Sequence, residues 1–250
     1  MKKFLFSVFI FTSIALFVYL GLWQVDRMRW KDSLIEQVNL YKDADYEEFK
    51  FSEYNLENDL FKKVKLYGSF MHEDEILLHA KYRNAAREKE DIGFHVITPF
   101  VTTDGVIVFV NRGWVPEKYR TINDRTESRV RNNIQVPVEG IIRKSTGKAP
   151  WFMPQNTPEE DVWFWADIPV IIKRLAETTD LNNMKPVYIQ QTNLTTYNNF
   201  PYPEPVNSEI KFYNQHFTYV VTWFSLAFIT LIMWYIWLRR NDAKKSESKP

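Results

Sequence analysis

Two uncharged apolar runs bracket the chain. Phe4 to Gln24 reads FLFSVFIFTSIALFVYLGLWQ. At the helical rise per residue it covers about 30 Å, the thickness of a bilayer's hydrocarbon core. Phe217 to Leu238 reads FTYVVTWFSLAFITLIMWYIWL, with aromatics at both ends as interfacial belts have. Lys2 and Lys3 would also suit the start of a signal peptide. The first run, however, exceeds the usual apolar region of a signal, and no small-x-small cleavage site follows. The pattern therefore predicts two transmembrane helices, at 4–24 and 217–238. Beyond Gln24, apolar residues recur at helical spacing (Val25, Met28, Ile35, Val38, Tyr41) with charges between them. This predicts that the first helix continues outside the membrane over 25–42 and lays an apolar stripe on the outer domain. Read alone, Arg27, Arg29 and Trp30 suit an interfacial anchor equally well.

Between the spans, over 43–215, the period changes to that of strands. Phe61 to Phe70 and Glu75 to Ala80 are short β-rich runs around a polar turn at His72 to Asp74. Gly93 to Val101 and Val106 to Val115 flank Thr102-Thr103-Asp104-Gly105, where Asp-Gly supplies the positive φ of a hairpin turn. Val136 to Arg143 and Val187 to Thr192 add two strands. One helix, Ile168 to Glu177, has Asp167 as N-cap and Pro169 in its first turn. Lys144 to Pro158 and Thr195 to Asn207 read as loops. The expected fold is an α+β membrane protein: two transmembrane helices flanking an antiparallel sheet or small barrel with one covering helix.

Charge settles the orientation. Arg239, Arg240, Lys244 and Lys245 follow the second span in a basic tail over 239–250, so the positive-inside rule puts that end in the cytoplasm. Two spans put both termini there and the central domain outside. The chain enters its first span at residue 4, with no Arg-rich transit peptide before it, so a bacterial inner membrane is expected rather than a mitochondrial one.

Composition removes several function classes. Lys plus Arg number 32 against 31 Asp plus Glu, a balance that argues against a nucleic-acid partner. The absence of cysteine excludes disulfides, thiolate metal sites and a cysteine nucleophile. No Gly-rich phosphate loop, G-x-S-x-G elbow or H-E-x-x-H helix occurs, and no nucleophile–base or paired-carboxylate constellation stands out. An enzyme is not expected.

Five ordered motifs carry a resemblance. Gly21, Trp23, Gln24 and Arg27 form G-x-W-Q-x-x-R at the end of the first span, and Gly93, His95, Val96, Thr98 and Pro99 form G-x-H-V-x-T-P. Val110 to Pro116 reads V-N-R-G-W-V-P. Pro154, Asn156 and Pro158 precede W-F-W-x-D-I at Trp163 to Ile168, and His216, Phe217, Tyr219, Thr222 and Trp223 open the second span. In this order between two spans the motifs resemble the surfeit locus protein 1 family over about Gly21 to Ala227. One departure is Gln215, where many members have asparagine. The resemblance implies an assembly factor for cytochrome c oxidase that binds haem a and assists its insertion into oxidase subunit I, with His216 as the histidine implicated in binding. Haem a synthase and membrane lipid are further implied partners, and a homo-oligomer is compatible.

The residues suit that chemistry. Haem iron takes an axial imidazole, and His216 is the one strong ligand in a membrane setting, since Met233 lies deeper. Trp23, Gln24 and Arg27 end the first span at the same depth, where Arg27 or Arg29 could meet propionates. Tyr219 and Trp223 follow His216 at helical spacing and offer a face for a porphyrin. The competing reading is a scaffold that stabilises assembly intermediates without haem, in which His216 and its aromatics are ordinary interfacial residues. His95 reads as a strand histidine, and His72 and His79 lack metal-ligand spacing. Arg112 is expected to pair with Asp167 inside the domain, and Trp114, Trp163 and Trp165 to fill its core.

Overall fold

The structure, a computed structural model, describes residues 2–83, 92–129, 134–145, 147, 149–177, 183–195, 200–206 and 215–247. Parts of the two predicted loops (146, 148, 196–199 and 207) and Asn214 lie outside these. In chain order the main elements are α1 (Lys2–Lys42), β1 (Glu47–Glu48), α2 (Leu56–Asp59), β2 (Lys63–Phe70), β3 (Ile76–Tyr82) and β4 (Ile92–Thr102). There follow β5 (Ile107–Pro116), β6 (Val136–Arg143), α3 (Ile168–Ala176), β7 (Met184–Gln191) and α4 (His216–Glu247). The chain divides into two compact units, Met1–Asn39 with Lys211–Pro250, and Leu40–Ile210.

The first unit is a pair of helices, and the segments Phe4–Lys42 and His216–Asn241 are both long and apolar enough to cross a membrane. α1 has no proline and runs unbroken for 41 residues, about 60 Å. Its half-buried positions beyond Gln24 include Val25, Met28, Ile35, Val38 and Tyr41. Three hydroxyls inside the apolar runs are satisfied locally. Thr12 and Ser13 donate to the carbonyls of Val8 and Phe9, and Thr222 to that of Thr218. The helices pair antiparallel: Phe6 meets Trp237, Phe11 meets Trp234 and Phe17 stacks on Trp223, at centroid distances of 4.6, 4.8 and 5.9 Å. Gly21 admits the Phe224 ring, whose Cζ would lie 2.9 Å from a Cβ at that position.

The second unit is a closed five-strand barrel, β2-β6-β7-β5-β4, shut by pairing of β4 back onto β2 through Phe100↔Phe70 and its neighbours. β3 pairs with the first half of β4, and β1 adds to β2. The pairing is mixed rather than antiparallel throughout, because β5–β7 and β1–β2 run parallel. The expected hairpin is present: Gly105 has φ +74°, and its N–H donates to the Thr102 carbonyl at 2.9 Å. β7 begins at Met184, three residues earlier than its apolar run, and takes in Pro186. That proline falls in the register shift between Ile107↔Met184 and Phe109↔Tyr188, where no ladder bond is required of it.

Two apolar layers hold the domain. Inside the barrel, Val64, Leu66, Phe100, Val108, Val110, Val138, Ile142 and Ile189 alternate inward, each fully buried or nearly so. Burial of such a side chain stabilises by roughly 1.5–3 kcal/mol. Outside, Ile168, Ile171 and Leu175 of α3 pack with Ile76, Leu78, Ile97, Phe109 and Trp163. Asp167 precedes α3 but its carboxylate caps nothing. Ser145 does so from another loop, its hydroxyl accepting from the Ile168 N–H at 3.1 Å and donating to the Ala166 carbonyl at 2.9 Å. Gly113, at φ +129°, lets the Glu204 carbonyl come within 2.0 Å of where a Cβ would sit. Trp114 and Glu204 then exchange backbone hydrogen bonds of 2.7 and 2.8 Å, fixing the 200–206 segment to β5.

Candidate functional site

A polar contact joins the two membrane-length helices. His216 is the first residue of α4, and its Nδ1 lies 2.7 Å from Oε1 of Gln24 on α1. An amide oxygen can only accept, so Nδ1 is the donor, and in a neutral ring the lone pair is then on Nε2. This is how proteins prepare a metal-binding imidazole: a hydrogen bond at one nitrogen fixes tautomer and ring orientation for the other. Gln24 is 9% exposed while His216 is half-buried, so the orienting amide is more deeply enclosed than the ring it holds.

The other residues singled out from sequence fall around this pair in different ways. Arg27, one turn beyond Gln24, is exposed, and its guanidinium lies 5.8 Å and 5.4 Å from the ring centroids of Trp23 and Trp30. Aromatic neighbours on its own helix hold that charge near the apolar boundary. Tyr219, one turn after His216, is 49% exposed and leaves its ring available to a ligand. Trp223 is engaged: it stacks on Phe17 at an interplanar angle of 28° and contributes to helix pairing. Phe17 and the close approach at Gly21 carried no signal in the sequence, because nothing there pairs residues some two hundred positions apart.

The remaining histidines lie in the barrel unit. Burial pushes His95 down to about 4, with Lys81 adding to the effect, and its Nδ1 lies 3.5 Å from the Asn111 amide nitrogen. His79 packs edge-on against Phe94 and is also lowered by burial. His72 is buried, its Nδ1 3.4 Å from Nη1 of Arg112. Among the described residues no group of three metal-ligating side chains converges.

Arg112 does not pair with Asp167. Its Nη2 donates to the carbonyls of Ser128 and Thr195 at 2.6 and 3.1 Å, and its guanidinium lies over the Phe70 ring. The carboxylate in this buried cluster is that of Glu75, which ion-pairs with the fully buried Arg125. Sequence missed Glu75 because it lies in β3's approach, far along the chain from either arginine. Trp114 and Trp163 are core residues. Trp165 is half-buried instead, its indole donating to the Pro154 carbonyl at 2.8 Å.

Comparison with known proteins agrees with this architecture. The family model described as the SURF1 family matches residues 11–228. A "SURF1-like protein" of Caenorhabditis elegans is 31% identical over 240 residues, covering 89% of this chain and 71% of the relative. "Surfeit locus protein 1" of Rattus norvegicus is 29% identical (86% and 70% covered), and that of Homo sapiens 27% identical (86% and 72%). The matched region runs from the first apolar helix, through the barrel, into the second helix past the His216–Gln24 pair. The chain belongs to the SURF1 family, known as cytochrome c oxidase assembly factors.

Proposed function

We propose that this assembly factor binds haem a through His216 and assists its insertion into oxidase subunit I. The observation that carries the reading is the 2.7 Å hydrogen bond from His216 Nδ1 to Gln24 Oε1. Haem a supplies an iron centre that accepts an axial imidazole. Gln24 holds the proton at Nδ1 and so makes Nε2 the nitrogen for the iron, and binding does not have to select a tautomer. Arg27 offers a guanidinium to a carboxylate such as a propionate, and the exposed Tyr219 ring offers a flat apolar surface. Half-burial of His216 suits a carrier, which must release what it binds.

In this reading the helix pair spans a bacterial inner membrane with both termini cytoplasmic and the barrel on the outer side. Subunit I receives the cofactor and haem a synthase supplies it. A second reading draws support from the Trp223–Phe17 stack. There, His216, Gln24 and the aromatics simply pair the helices, and the chain is a scaffold without haem. The experiment that separates the two is the reduced optical spectrum of the chain purified from cells that make haem a, beside His216→Ala. Haem a absorption in the wild type that is lost in the variant supports the carrier. A colourless wild type leaves the scaffold.

A further inference from the structure

The segment Pro150-Trp151-Phe152-Met153-Pro154 presents large apolar side chains at the tip of a loop. Trp151 is 91% exposed, Phe152 69% and Met153 38%, while the other tryptophans of the barrel unit are buried or half-buried. Exposure of three adjacent large apolar groups is costly in water and needs a reason. The Trp151 and Phe152 rings meet edge-to-face at 5.8 Å.

The tip is built rather than loose. The Met153 N–H closes a turn onto the Pro150 carbonyl at 3.0 Å. The Gln155 amide nitrogen reaches back to the carbonyls of Ala149, Pro150 and Met153, at 3.4, 2.9 and 2.9 Å. The Trp165 indole takes the Pro154 carbonyl. The neighbouring Asn156 fixes the base, its side-chain oxygen accepting from the Phe164 and Trp165 N–H groups at 2.8 and 3.0 Å. Four carbonyls of the loop are therefore satisfied from within, and both prolines lack an N–H. Among the described residues of the tip, the peptide groups of Trp151 and Phe152 are the ones left to be solvated.

That arrangement fits a lipid interface better than a protein groove. A segment entering the headgroup and acyl boundary has to bring its polar backbone already paired, because the apolar side supplies no partners. Tryptophan and phenylalanine are the side chains that settle at that boundary. The chain carries two membrane-length helices, so a bilayer is always within reach and even weak insertion gains from tethering. We infer that the Trp151–Phe152–Met153 tip inserts into the membrane interface and acts as a third attachment of the outer domain to the bilayer.

The chain has no cysteine, so a single spin label can report on the tip in the full-length protein. The label goes on Met153→Cys, which keeps Trp151 and Phe152, with the chain reconstituted in phosphatidylcholine vesicles. Access to dissolved oxygen, which concentrates in lipid, is compared with access to a water-soluble nickel chelate. The expected oxygen-to-nickel ratio is several-fold higher than in the same label carrying Trp151→Ser and Phe152→Ser, whose ratio matches that of a water-exposed site. A tip label in pure lipid as open to the nickel chelate as in the double variant overturns the assignment. Protection appearing only in native membranes overturns it as well, and would point to a protein as the occupant.

Discussion

The helix pair and the barrel both bury polar side chains, and they treat them differently. In the barrel, Arg112 is wired to two backbone carbonyls and a histidine. Arg125 donates to the Tyr119 carbonyl and the Ser128 hydroxyl and pairs with Glu75. These groups hold loops to strands, and their charge is spent on the fold. In the helix pair, Gln24 meets one imidazole, that of His216, at the end of an apolar span. The difference separates polar groups that hold loops to strands from one that joins two helices through a single contact. The first are tied at several atoms to carbonyls, a hydroxyl and a carboxylate of the domain, and the second meets a neighbouring ring through one atom.

The comparison can be broken from the barrel side, most strongly at Gly113. Gly113→Ala places a Cβ 2.0 Å from the Glu204 carbonyl at a φ of +129°, so it should cost about 3 kcal/mol or more and detach the 200–206 segment. Limited proteolysis of the full chain checks this, with new cleavage near Glu204 expected. Next comes Arg112→Met, which leaves the Ser128 and Thr195 carbonyls unpaired in the interior and should cost about 2–4 kcal/mol. Thermal unfolding should show the loss, while pigment per folded molecule stays unchanged. A parallel loss of pigment would erase the division between the two regions.

Acid provides a subtler probe. Burial holds His95 down at about 4 against an ordinary 6.5, so the folded domain favours the neutral ring. Its contribution is intact above pH 6.5 and is lost as the pH falls toward 4, with a slope of at most about 1.4 kcal/mol per pH unit. His95→Gln should flatten that part of the barrel's acid unfolding curve. A smaller effect is expected from Ser145→Ala, about 1 kcal/mol, because it removes the cap that Asp167 does not provide. Asp167→Ala should cost less in the same melting experiment, and the opposite ranking would restore Asp167 as the cap.

Much of the architecture was legible because its periods are long and clean. The two apolar runs, the helical stripe from Val25 to Tyr41 and the hairpin around Gly105 all followed from local pattern. Features that depend on distant segments did not. Barrel closure through Phe70↔Phe100, the parallel β5–β7 pairing and capping by Ser145 each join residues that no local period relates. Asp167 shows how a correct local signal can mislead: the residue type and position suit a cap, but its φ/ψ of −84° and 82° accompany no side-chain bond. At the candidate site, sequence brought His216, Gln24 and Arg27 to one depth and put Tyr219 and Trp223 on the helical face of His216. Only the structure distinguishes the amide that orients the ring from the tryptophan that packs against Phe17.

The most direct test is made on all four histidines at once. Each of His72, His79, His95 and His216 is replaced singly by alanine, and the purified full-length chains are compared by reduced haem a absorption per protein. The account predicts that only His216→Ala loses the pigment, with Gln24→Leu in the same series weakening its retention about tenfold or more. A His216→Ala chain that keeps wild-type pigment would contradict it.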